Sequence, residues 1–169
     1  MATTHFFRHD REGFLHALDR AIAINPRNTD TAAWMATLLT HMGEYERGCE
    51  ITRRAMALNP HHPGWYHFAF FHLHYGRGEF AEALAAAQRI NMPDHVWAPY
   101  VMALAAGQLG RSREAAAAVA VFRTLAPEFA ANEQALRAAS GRWKWTAADI
   151  DRDLEGFRKA QAFWGVCRW

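Results

Sequence analysis

Between positions 58 and 84 the chain reads LNPHHPGWYHFAFFHLHYGRGEFAEAL, which sets five histidines, His61, His62, His67, His72 and His74, among tryptophan, tyrosine and phenylalanine. Imidazoles at this density could bind a transition metal or move protons, and the rings could grip a partner. A zinc or iron centre needs three or four ligands converging at about 2.0–2.3 Å, commonly with two of them four residues apart on one helix. The spacing HxxxxHxH and the HH pair do not supply this, and no Asp or Glu stands between His61 and Arg77 to complete a triad. No metal and no other cofactor is therefore expected. The alternative is a site in which His61 and His62 reach His67 from the loop before it.

Other catalytic constellations are missing as well. The chain has no GxSxG, no GxxxxGK, no HExxH and no strand-like stretch ahead of a dinucleotide fingerprint. Its close acidic pairs, Asp151 with Asp153 and Glu44 with Glu46, stand two apart on helical segments and point to different faces, so they form no acid/base dyad. An enzyme is not expected.

Composition narrows the remaining classes. At 169 residues with 51% apolar content the chain can bury one real core. Its net charge of +2 leaves no broad basic face, so nucleic acid is not an expected partner. No apolar run approaches the roughly 20 residues of a membrane span, and no signal-like segment opens the chain. Cys49 and Cys167 lie far apart with no ligand spacing, so a reduced, cytoplasmic protein is expected. Seventeen arginines against two lysines, with abundant alanine, point to a bacterial genome rich in G and C.

The elements that must position these residues announce themselves by repetition. Pro26, Pro60, Pro93 and Pro127 are separated by 34, 33 and 34 residues, and the first two close the phrases AIAINP and AMALNP. Between them, GEYERGCE from Gly43, GEFAEALA from Gly78 and GRSREAAA from Gly110 repeat in step. Each unit reads as a helix, a glycine turn, a second helix and a proline that ends it. Small residues such as Ala83 and Ala115 let the paired helices approach, and Leu58, Ile90 and Leu125 are expected to fill the seams between units. The pattern resembles the tetratricopeptide repeat over roughly residues 10–127. That resemblance implies an all-α, right-handed α-solenoid of helix hairpins with C-terminal capping helices: a half repeat at 10–26, repeats at 27–60, 61–93 and 94–127, and a capping segment with an aromatic tail at 128–169.

In this register helices are expected at about 10–24, 29–42, 44–58, 64–76, 79–91, 96–109, 111–125, 128–139 and 147–161. The first has no partner helix, since residues 1–9 read as too few to supply one, and Phe14, Leu18 and Ile22 would then be exposed. The chain is accordingly expected to be a fragment or a truncated reading frame. Thr146 with Asp149 reads as a capping box for the last helix, whose Ile150, Leu154, Phe157 and Gln161 form the sealing face. Trp143 and Trp145 in the GRWKWT linker are expected beneath it.

A closer resemblance lies in MALNPHHPGWYHF, RGEFAEALAAAQRINMP and GQLGRSREA, which together look like the repeat region that follows the catalytic domain in bacterial class III adenylate/guanylate cyclases of the rhizobial type. It implies an accessory, regulatory or protein-binding part, and the cyclase catalytic residues have no counterpart here. The QAFWGVCRW end departs from that family.

In such a solenoid the first helix of each pair lines the concave groove. This places Trp65, Phe68, His72 and Tyr75 of one unit, Trp97, Tyr100, Leu104 and Gln108 of the next, and Asp30, Thr37, Thr40 and His41 of the first on one aromatic surface suited to a peptide or partner protein. For Trp97 and Tyr100, packing inside the solenoid is the equal alternative. His67 and His74 fall on a packing face with Phe70 and Phe71. The groove lacks the basic clamp that some tetratricopeptide domains use for acidic C-termini, and Arg47, Arg53, Arg54, Arg89 and Arg113 fall on second helices facing solvent. The expected function is a non-catalytic interaction scaffold. The alternative is a metal- or small-ligand-sensing module in the histidine-rich repeat. Self-association is expected through the unpaired first helix and through Phe163, Trp164 and Trp169.

Overall fold

The computed structural model describes residues 2–166; Cys167 and Trp169 lie outside the described residues. Every regular element among them is helical: α1 (Ala2–Phe7), α2 (Arg11–Ile24), α3 (Thr29–His41), α4 (Tyr45–Leu58), a 3-10 turn (Gly64–Tyr66) running into α5 (His67–Arg77), α6 (Phe80–Ile90), α7 (Trp97–Gln108), α8 (Ser112–Leu125), α9 (Pro127–Ala131), α10 (Glu133–Gly141) and α11 (Ala147–Val166). No described helix is long and apolar enough to cross a membrane.

The phase of the repeat is written in the backbone. Gly43, Gly78 and Gly110 carry φ of +89°, +76° and +67°, so each turn uses the left-handed conformation that a side chain resists. These turns fold α3 onto α4, α5 onto α6 and α7 onto α8, and each hairpin also touches the next. α2, α4, α6 and α8 end at Ile24, Leu58, Ile90 and Leu125, two or three residues before the phased prolines. Pro127 opens α9, where its missing N–H costs nothing. Asp10 and Asn28 cap α2 and α3 by accepting from the backbone N–H of Gly13 and Thr31, at 2.9 and 3.1 Å.

Three local expectations differ from this structure. Ala2–Phe7 is helical and packs on α2, so Phe6, Phe14 and Leu18 are all fully buried, in a cluster with Leu38 and Leu39 of α3. Six residues suffice because Phe6 supplies a whole ring, whose burial contributes about 1.5–3 kcal/mol. The single helix expected at 128–139 is broken at Asn132, whose extended backbone lets its side chain cap α10 through Gln134 and Ala135. Leu58 and Leu125, expected in the seams, are among the exposed apolar side chains, while Ile90 is fully buried.

The C-terminal segment decides the shape of the site. α11 lies against α7 and α8. Leu154, Phe157 and Ala160 join Tyr75, Tyr100, Leu104 and Phe122 in the largest core cluster, to which Phe163 and Trp164 add half-buried rings. The crossing is close because it is built from small residues: a Cβ on Gly107 would strike the Gly156 carbonyl, and one on Gly156 would strike the Tyr75 hydroxyl. Thr146 caps α11, accepting from the Asp149 N–H at 3.2 Å and donating to its carboxylate at 2.6 Å. Arg123 lies 4.2 Å over the Trp164 ring.

Candidate functional site

A cavity of about 180 Å³ lies between the repeat helices and the C-terminal segment. α3 contributes Trp34, Thr37 and His41, which share a helical face at intervals of three and four. Phe68 and His72 come from α5, His95 from the loop before α7, and Trp97, Tyr100 and Val101 from α7. The opposite wall is Ser140 of α10, Trp143 and Lys144 of the linker, and Asp153 of α11. The backbone N–H of Trp145 donates to the His41 carbonyl at 3.1 Å, and the Tyr45 hydroxyl donates to Asp149 at 2.8 Å, so the linker and α11 are fastened to α3 and α4.

The chemistry of the lining is aromatic, neutral and under-satisfied. The His41 and His72 rings lie 4.3 Å apart between centroids, Trp143 is 6.2 Å from both Trp34 and His41, and Phe68 is 5.8 Å from His95. Burial pulls His41 down to about 3, with Lys144 acting in the same sense and Asp149 against it. His72, only 6% exposed, lies well below the free imidazole range through burial, with His41 and Lys144 adding to the effect. Burial lowers His95 too. Buried Nδ1 atoms of all three rings, and the Tyr100 hydroxyl, have no hydrogen-bond partner among the described residues. Ser140 stands near that hydroxyl and counters the large upward push of burial on the phenol, without meeting hydrogen-bond geometry. A buried polar group left unsatisfied costs about 1–3 kcal/mol, so four on one cavity lining is a feature that asks for a partner.

Two ionised groups reach the lining, and they face each other. Lys144 Nζ is 3.2 Å from Asp153, whose side chain is 3% exposed. Burial raises the Asp153 pKa and Lys144 opposes that rise. Asp149, on the same first turns of α11, ends below its ordinary value: burial raises it most, but the Thr146 hydroxyl, Lys144, Tyr45 and Arg152 together outweigh that.

Of the residues expected in a groove, Thr37, His41, Phe68, His72, Trp97 and Tyr100 meet in this cavity. Trp65 packs edge-on against Tyr66 at 4.5 Å, in a separate cluster with Ala33 and Ala55. Tyr75 is buried under α11, donating to the Arg152 carbonyl at 3.1 Å, and Gln108 accepts from Lys159 at 2.8 Å. Leu104 and Thr40 are core residues, and Asp30 accepts from Tyr66 at 2.6 Å. Of the loop pair, His61 is exposed, while His62 stacks on Tyr66 at 5.3 Å and lies 5.6 Å from His67. His74 bonds Glu79 at 2.6 Å. Among the described residues no group of three or more His, Cys, Asp or Glu is arranged to hold a metal ion. Cys49 is buried against the Ala69 carbonyl, and burial pushes its thiol up to about 11, which makes it a poor nucleophile.

Trp34, His95, Val101, Ser140, Lys144 and Asp153 are site residues that sequence reasoning does not single out. Trp34 was legible, three residues before Thr37 and seven before His41. Asp153 also carried a signal that sequence reasoning did not use, as a carboxylate inside the apolar stripe of Ile150, Leu154 and Phe157. Trp143 and Trp145, expected beneath the last helix, reach instead to the N-terminal cluster, where Trp145 lies 5.5 Å from Phe6 and Trp143 5.2 Å from Phe7.

No protein-family model and no curated protein matches the chain. The repeat resemblance therefore rests on its own residues.

Proposed function

We propose that this protein is a non-catalytic ligand-binding module, in which tetratricopeptide-type hairpins forming a right-handed solenoid make one wall of a pocket and the C-terminal helices close it. The observation that carries this reading is the cavity itself: an aromatic lining drawn from both parts of the chain, with unpartnered polar atoms on its residues. A ligand touching both walls would hold the C-terminal segment against the repeats, and occupancy would thereby be reported at the protein's surface. Such a device suits the regulatory role implied by the likeness to cyclase-associated repeats.

The broader scaffold reading, with a peptide or partner protein laid along Trp65, Phe68, His72, Tyr75, Trp97 and Tyr100, is less well supported. It requires α11 to leave Tyr75 and Tyr100, the latter packed on Phe157 at 5.4 Å. Ligand-observed NMR with a fragment library on the full chain tests the pocket reading. Fragments should bind the wild type and lose binding to Val101→Phe, which fills the cavity; fragments indifferent to that substitution would place binding elsewhere and end the reading.

A further inference from the structure

Resting on that reading, we infer that the pocket takes a small uncharged nitrogen heteroaromatic, one ring or two fused rings in size, recognised by ring stacking and by hydrogen bonds to its edge. The volume sets the size. About 180 Å³ slightly exceeds the roughly 150 Å³ of an apolar cavity that accepts benzene, so the pocket encloses one ring system and any larger guest would project from its open side. Aromatic residues contribute much of the wall, and faces and edges of such rings favour an aromatic guest.

Charge sets the second condition. Lys144 and Asp153 are the ionised groups on the lining and compensate each other at 3.2 Å. A charged ligand would have to break that pair, leaving the buried Asp153 carboxylate or the Lys144 ammonium uncompensated. The histidines offer no counter-charge, because burial keeps them neutral.

Hydrogen bonding sets the third. A neutral imidazole carries one donor and one acceptor nitrogen, and a half-turn of the ring exchanges Nδ1 with Cδ2. The unpaired Nδ1 atoms and the Tyr100 hydroxyl lie just beneath the lining, so a turn of the His41, His72 or His95 ring, or a small shift of Tyr100, brings a donor or acceptor to a guest. An all-carbon ring would leave these groups unpaired, and sites of this kind discriminate strongly against analogues that lack the matching polar atoms.

Calorimetry on the full chain at pH 7.5 tests the assignment with benzimidazole and purine as the probes, indene as the hydrocarbon of similar shape, and benzoate and benzamidine as charged rings. Benzimidazole or purine should bind one to one, at least tenfold more tightly than indene, benzoate or benzamidine. Tyr100→Phe, which keeps the ring, or His72→Phe should weaken the better probe at least fivefold. If a charged ring or indene binds as tightly as the heterocycles, or if neither substitution matters, the ligand class is wrong while the pocket reading stands. The class is equally wrong if the heterocycles are silent and other fragments bind in a Val101-dependent way. If no fragment binds at all, both fall together.

Discussion

Seven of the ten histidines fall into two sets with opposite fates. His61, His62, His67 and His74 are crowded within fourteen positions but run from the loop before α5 to its last turn, exposed or half-buried, with His62 on Tyr66, His67 near Phe70 and His74 on Glu79. His41, His72 and His95 are spread over more than fifty positions and line one cavity. Density along a sequence is a weak guide to convergence. Helices joined by turns at a period near 34 bring together residues about one repeat apart, as His41 and His72 are, and separate neighbours a few positions apart onto different faces.

The sharpest way to break this contrast is through the charges that accompany the scattered set. Asp153→Ala leaves the Lys144 ammonium buried without its partner, and a loss of about 3 kcal/mol or more in urea unfolding is expected. Asp151→Ala, two residues away, removes only an exposed pair with Arg137 and should cost less than about 1 kcal/mol. Equal losses at the two positions would mean that Lys144 escapes to solvent and that the cavity wall is not closed.

Acidification probes the same set more gently. The folded-state pKa values of His41 and His72 lie below that of a free imidazole, so the unfolded chain binds protons that the folded chain refuses. Neither affects stability above about pH 6.5, and each removes about 1.4 kcal/mol per pH unit as the pH falls below that value. For His41 the loss continues down to about pH 3. Lys144 strengthens the effect on both rings, and Asp149 weakens it on His41. Asp153 acts in the other direction nearer its own range, because its raised pKa lets the folded state take up a proton first. Urea midpoints should therefore fall between pH 6.5 and 5. Midpoints that hold steady across that range would show both rings already open to water.

Much of the fold was legible because it depends on local rules. Gly43, Gly78 and Gly110 mark left-handed turns, the phased prolines follow helix ends, and Thr146 with Asp149 starts α11. Half of the site was legible for the same reason, since Thr37, His41, Phe68, His72, Trp97 and Tyr100 follow from one face per helix. The wall of Ser140, Trp143, Lys144 and Asp153 was not, because nothing local says where α11 and its linker will lie. Their placement depends on Gly107 and Gly156 permitting a close crossing, and on Trp145 reaching the His41 carbonyl from more than a hundred residues away. Glycines inside helices read as weak points in a sequence; here they are where two backbones meet. α1 was missed because six residues are too short to show a period.

The smallest effect is expected at the most conspicuous residues. His61 is exposed, and the half-buried His62 ring makes one long contact to the Pro63 carbonyl at 3.3 Å and covers Tyr66 by stacking, so neither makes a buried hydrogen bond. His61→Ala with His62→Ala should shift the unfolding free energy by no more than about 0.5 kcal/mol per site. The pair should also leave fragment binding and its dependence on Val101 unchanged, since neither residue touches the cavity. Calorimetric titration with zinc and nickel completes the comparison. Stoichiometric metal uptake abolished by His61→Ala or His67→Ala would reverse the ranking of the two sets, because a bound ion would then have to draw the loop onto α5 and make the crowded histidines the functional ones. No uptake, with binding still governed by Val101, would leave function with the set that only the fold assembles.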